Sequence, residues 1–559
     1  MSNSFNTIQN IEVDTSIEET VVYLLNAGLI GGGGAGSFTN PIAIGTNAGA
    51  ISQGDYAVAI GVSAGETNQA GSAVAIGYLA GANSQGQGAV AIGSYAGGTG
   101  QGQTAVSIGQ FAGIISQGEN AVAIGLNAGY TNQSINAIAI GNSAGLNTQG
   151  ENSVAIGFSA GATEQGENSV AIGTYAGSTG QENRSVAIGN LAGQTKQGQV
   201  AVAIGSAAGN STQGNSAVAI GYLAGQITQG ASAVAIGNSA GTNTQGASAV
   251  AIGTGAGNST QGANAVAIGY AAGNGTQGVY AVAIGYQAGN ETQGSSAIAI
   301  GDNAGNIMQG ENAVAVGQNA GQNFQGSGAI ATGVQSGQNS QGTNAIAIGS
   351  NAGQNSQGIR AIAIGFGAGL EFQGETTVAI GFQAGQHLQG DSAISIGYSA
   401  GQTDQQGSAV AIGSYAGQYT QGESAVAIGT NAGQSTQGAN AVAIGNSAGI
   451  EGQGTGAISI GSQAGTNNQG TNAIAIGLNA GEFSQGQYAI AIGNQAGMTE
   501  QAASSIVINA AASWALTNAY STQSGCYVNP IRNSGGGALP TDCKQVAYNT
   551  VTGELVFYG

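Results

Sequence analysis

The sequence predicts an all-β chain wound as a parallel β-solenoid with sixteen-residue coils, and three observations carry that prediction. A unit typified by AVAIGTNAGQSTQGAN at 425–440 recurs in unbroken register from Ile44–Gly45 to Ile492–Gly493, giving 29 full copies. A degraded copy, SIVIN, falls in the same register at Ser505–Asn509. The glycine closing AVAIG, the glycine of the following AG and the glutamine of the QG step stand in every full copy. A fixed period without slippage makes each unit one turn of a stacked array.

Within one unit the elements follow from residue type. In AVAIG, Val58 and Ile60 project to one face of a strand and Ala57 and Ala59 to the other. The run is too short for a helix, and Val with Ile favours an extended chain. Glycine then turns the backbone. A second, weaker segment carries one recurring apolar residue (Ala64, Ala80, Ala96), and the QG step makes the second corner. The Gly of that step is replaced only by Ala70, Ser134, Glu182, Gln406 and Ala502.

The first strand is apolar on both faces, the signature of a strand buried on both sides. The expected arrangement puts Val and Ile inside the coil. The alanines, Ala267 among them, would then meet another copy of the same sheet, in a homo-oligomer about a rotational axis. The glutamine column, including Gln53, Gln69, Gln85, Gln261, Gln277, Gln485 and Gln501, is expected to form a buried ladder of amides. The competing reading is a column of identical ligand-binding groups.

The units at Asn152–Gly157 and Asn168–Gly173, NSVAIG in both, resemble the head repeats of trimeric autotransporter adhesins, the YadA-like family. The resemblance covers Pro41 to Asn509. It implies a left-handed β-roll and a homotrimer packed around its inner strands. The repeat here is longer than the family's usual one, which implies a wider turn.

Composition narrows the function. Among 559 residues, 106 Gly and three Pro suit a turn-rich solenoid and not collagen. Thirty coils at strand spacing would give a rod of roughly 140 Å. With 24 acidic against five basic residues the net charge is −19, which argues against nucleic acid as a partner. The acids sit beside the QG corners (Glu119, Glu151, Glu164, Glu167) and read as solvated edges. The GGxGxD repeat of calcium-binding rolls is absent. The single His387 and scattered carboxylates give no defensible acid–base pair. No zinc spacing, phosphate loop or nucleophile elbow occurs. The expectation is a protein that is not an enzyme and holds no metal or cofactor.

Residues 1–40 differ from the array and are expected to form an anchoring segment. They carry TVVYLL at Thr20–Leu25 and a glycine-rich joint at Gly31–Gly34. They show no secretory signal and no membrane span. Residues 41–509 form the shaft and 510–559 a C-terminal β cap, with VAYNTVTGELVFY as a hairpin turning at Gly553. The YVNPIRN…VAYNTVTGELVFY pattern is similar to terminal segments of fibre proteins from giant viruses and tailed phages. In many of those a self-cleaving trimerisation chaperone follows, which here would be absent or removed. The cap gathers Trp514, Tyr520, Tyr527, Arg532, Lys544, Phe557 and Tyr558, a mix suited to a receptor-binding surface. Cys526 and Cys543 could close a loop there.

Aromatics recur after the AIG glycine, among them Tyr78, Phe158, Tyr270, Phe382 and Tyr398. They are expected to pack between subunits, with stacking on sugars as the alternative. Sequons stand at Asn132, Asn210, Asn258, Asn274 and Asn290, without a signal peptide to support their use. Together these readings give a homotrimeric fibre on a virion surface or otherwise extracellular. It would be anchored through residues 1–40 to a virion protein and would bind a host-surface receptor or glycan. A cellular YadA-like surface adhesin or self-assembling extracellular filament is the alternative, and an ice-binding solenoid a remote one.

Overall fold

The computed structural model describes residues 41–510 and 523–529, with the backbone of two further strands, Gln545–Tyr548 and Leu555–Tyr558. The anchoring segment 1–40 lies outside the described residues. The chain divides into two compact units, one reaching Ser340 and the other starting at Gln341. Strands and turns make up both, with no helix among the described residues.

Each coil holds an AVAIG strand, such as Val266–Ile268, and a glutamine strand, such as Asn147–Gln149. In the first unit Val250 pairs with Val266 and Val266 with Val282, all parallel. Gln245, Gln261 and Gln277 pair in the same way on the other sheet. In the second unit Ile346, Ile362 and Val378 form one ladder and Gln373, Gln389 and Gln405 the other. A shift of one coil returns every residue to its own kind, so like side chains stand in columns. Each unit is thus a parallel β-solenoid, as the period predicts.

The invariant glycines have separate reasons. Gly269, which closes its AVAIG, has φ +127°, and a Cβ there would lie 2.4 Å from the carbonyl oxygen of Gly285 in the next coil. Gly257, in the AG step, has φ +54°, and its Cβ would fall 2.9 Å from Oε1 of Gln261. The AG glycine is therefore required by the glutamine that fills the space beside it.

The two faces of the AVAIG strand are the reverse of the expectation. Ala265, Ala267 and Ala272 are fully buried, and the core clusters of both units consist of such alanines. Val266 is only half-buried, and Ile252 and Ile284 are 36% exposed. Ala267 thus lines the coil interior, and the Val–Ile columns face outward. The physical reason is the glutamine. Its side chain crosses the coil, with Nε2 of Gln277 donating to the Val266 carbonyl at 2.8 Å. At interior packing density this leaves room for a methyl on the facing strand and nothing larger. A smaller departure concerns Ala64, which sits in the turn after the glycine. The second strand is Thr67–Gln69, so glutamine ends a strand and only the following residue makes the corner.

Between Thr212 and Thr292 six successive coils shorten the glutamine strand to a Thr–Gln pair. Elsewhere the residue before Gln commonly takes a left-handed conformation, as at Asn68 (φ 54°) and Glu164 (φ 55°). In the Thr coils it does not, and successive amides reach the next coil. Ser259 N donates to Asn274 O at 2.8 Å and Thr260 N to Gly275 O at 3.0 Å. Thr148 stays left-handed (φ 53°) and Thr436 alone among its neighbours does not, so the change is continuous only across the run of threonines. β-Branching disfavours the left-handed state, and a neighbour in the same conformation supplies the extra acceptor.

Past the last full copy, Ile506–Asn509 pairs with the coil before it, and Cys526–Asn529 pairs with Ile506–Asn509 in turn. This added rung comes 20 residues later, not sixteen. Val507 replaces the interior alanine and is 3% exposed, with Tyr527 packed against its cluster. The strands Gln545–Tyr548 and Leu555–Tyr558 pair antiparallel, as expected of a hairpin; Gly553 lies outside the described residues.

Candidate interaction surfaces

The glutamine column comes together as a segmented ladder. Gln53 donates to Gln69 Oε1 at 3.1 Å and Gln69 to Gln85 at 3.0 Å. Gln245 reaches Gln261 at 3.1 Å, Gln277 reaches Gln293 at 3.0 Å, and Gln485 reaches Gln501 at 3.0 Å. Rungs are also tied across their coils, as Gln261 Nε2 is to Val250 O at 2.8 Å and to Ala265 O at 3.3 Å. The ladder breaks at several rungs, among them Gln165, Gln245, Gln277 and Gln373, whose buried Oε1 atoms have no partner. Where the facing alanine is serine the carbonyl gains a donor: Ser107 Oγ to Gln117 at 2.7 Å, and Ser395 to Gln405 at 2.6 Å. Beyond the half-buried Gln53 the side chains are at most 3% exposed, so the amides are committed to the coil interior.

A second amide ladder escaped the sequence reading. Gln402 donates to Gln386, Gln418 to Gln402 and Gln434 to Gln418, each at 2.9 Å. The available signal was glutamine right after the AG glycine in four consecutive coils.

The outer surface carries the Val–Ile columns on one sheet and polar or aromatic turns at the corners. Phe366, Phe382 and Tyr398 stack face to face, with ring centroids 5.4 and 5.0 Å apart and planes within 12°. Tyr270 and Tyr286 stack likewise at 5.2 Å. The stacked rings share faces with one another and remain 40–54% exposed. Tyr95 and Tyr415 have hydroxyls held above the usual tyrosine range, first by hydrogen bonds with Tyr78 and Tyr398.

Of the sequon asparagines, Asn210 donates to Leu191 O and Gln194 Oε1, both at 3.0 Å, and Asn258 to Ser239 O at 3.4 Å. These side chains act as rungs between coils. His387 lies 3.1 Å from Glu371 on the next coil. Among the described residues no group of three or more His, Cys, Asp or Glu could hold a metal ion. No described helix is long and apolar enough to cross a membrane.

Of the receptor-binding candidates, Tyr527 is half-buried against the end of the core, and its hydroxyl donates to Gln523 O at 3.2 Å. Trp514, Tyr520, Arg532 and Lys544 lie outside the described residues, as does Cys543; Phe557 and Tyr558 are placed by backbone alone. Cys526 is exposed.

Comparison with known proteins gives one family. No curated protein and no solved structure matches the chain. The model of the YadA head domain repeat matches residues 149–176 in two copies, a span that contains both NSVAIG units. Over that span the chain carries repeats similar to those of the YadA head.

Proposed function

We propose that this chain is the shaft of a homotrimeric attachment fibre on a virion, in which three copies cover one another's Val–Ile face. The outward Val–Ile columns carry the reading. Alanine and glutamine complete the coil interior without them, so each coil leaves an apolar strip with no partner in its own chain. An identical strip on another copy matches it coil for coil. The YadA-type repeats support self-association and an adhesin-like fibre. The virion assignment draws its support from the likeness of the terminal segment to viral and phage fibres. On this reading residues 1–40 hold the fibre to a virion protein and the region 510–559 meets the host receptor. The shaft itself has no catalytic role.

A cellular surface adhesin is the second reading, favoured by the match at 149–176. Adsorption to host cells tests attachment: residues 505–559 fused to an unrelated trimeric stem should adsorb. A folded fusion that fails to adsorb, while a shaft lacking its cap still does, would move recognition to the shaft.

A further inference from the structure

The first unit carries a groove that neither the fold nor the attachment reading uses. It follows the QG corner across successive coils from Gly100 to Asn183, with a volume of about 760 Å³. A second stretch of about 490 Å³ shares Thr148, Gln165, Gly166 and Asn183 with it and reaches Gln199. One wall is the column before the glutamine, with Ser116, Asn132, Thr148 and Glu164 on successive coils. Backbone at these four residues is left-handed (φ 53–55°), in the middle of each three-residue glutamine strand. The opposite wall is the column after the corner, with Ile135, Glu151, Glu167 and Asn183. Gly118, Gly150 and Gly166 lie between the two walls.

We infer that this groove binds an extended neutral or amine-bearing polysaccharide, lying parallel to the coil axis. The inference rests on the fibre reading and adds to it a contact along the shaft, apart from the one proposed for the region 510–559. Both walls repeat once per coil, at a strand spacing of roughly 4.8 Å, which suits a polymer of identical units. Apart from Ile135, the wall groups are hydroxyls, amides and carboxylates, which donate to and accept from sugar hydroxyls. Four carboxylates (Glu151, Glu164, Glu167, Glu182) line the two stretches, so an anionic glycan or nucleic acid is repelled. An extended peptide would look for an unpaired strand edge or side-chain pockets. The groove offers neither, since its strands are paired on both sides from Ile115–Gln117 to Thr179–Gln181. Each coil contributes little, and the chain gains affinity by spanning several.

The test is calorimetric titration of the full chain with four probes: β-1,4-linked hexamers of glucose, N-acetylglucosamine and glucosamine, and oligolysine. The blocking variants are Thr148→Phe and Glu151→Ile. Both should fold, because Phe324 and Phe372 already occupy the coil position of Thr148, and Ile135 and Ile359 that of Glu151. Thr420→Phe, at the same coil position in the second unit, is the control, and circular dichroism checks each fold. At least one saccharide should bind, about tenfold or more weaker in each blocking variant and unchanged in the control. The inference is overturned if no saccharide binds, if only oligolysine binds, or if the blocking variants bind as well as the parent. Host adsorption, measured alongside, separates the two readings. Adsorption without saccharide binding removes the groove and leaves attachment standing. Saccharide binding without adsorption does the opposite.

Discussion

Gln261 shows how one residue holds a coil together. It braces the two strands through Val250 O and Ala265 O and accepts from Gln245. Gln261→Ala should lower unfolding free energy by roughly 1–3 kcal/mol in a denaturant melt, because buried carbonyls lose their donor. The complementary change is Ala267→Ser. Its hydroxyl would face the unpartnered Oε1 of Gln277, as Ser107 faces Gln117, and should raise stability by about 1 kcal/mol in the same melt. Ala267→Glu would instead put a charge in the coil interior and should prevent the coil from forming. The columns themselves could be read from the repeat, since only stacked geometry demands one residue at every turn. Which face of AVAIG points inward could not. Alternation of two residues looks the same from either side, and the deciding fact, a glutamine reaching across from another strand, is not local in sequence.

At the scale of the element, the coil depends on glycine where no side chain fits. Gly269→Ala would drive a Cβ into the Gly285 carbonyl at a φ closed to alanine, and should cost at least about 2 kcal/mol. Val200 is strained in the other sense, a β-branched residue at φ 60°. Val200→Asn should raise the melting temperature, with a gain of about 1 kcal/mol. The tyrosine pairs make a prediction in pH. Tyr95 and Tyr415 are held above the usual range by their hydrogen bonds with Tyr78 and Tyr398. In an ultraviolet titration they should ionise after the other tyrosines. Their stabilising contribution is complete below the unfolded tyrosine pKa of about 10 and is lost as pH rises through the folded value. Strand, glycine corner and C-terminal hairpin were legible as sequence. The Thr–Gln coils were not, because their change depends on what the next coil does. Nor was the rung at Cys526–Asn529, which breaks the sixteen-residue spacing.

For the whole molecule the question is what covers the Val–Ile columns. The sequence reading expected a strand buried on two sides; the structure buries the alanine face and leaves the bulkier Val–Ile face outward, so on the proposed reading it is this face that a second copy covers. Covering a half-exposed Val and Ile contributes roughly 1–3 kcal/mol per coil, repeated along each unit. Sedimentation of the purified chain beside Val266→Glu/Ile268→Glu and similar pairs on neighbouring coils tests this most directly. The account predicts a trimer for the parent and dissociation of the variants into subunits that keep their strand spectrum. A parent chain that sediments as a stable folded monomer at micromolar concentration, its Val–Ile face open to water, would contradict it.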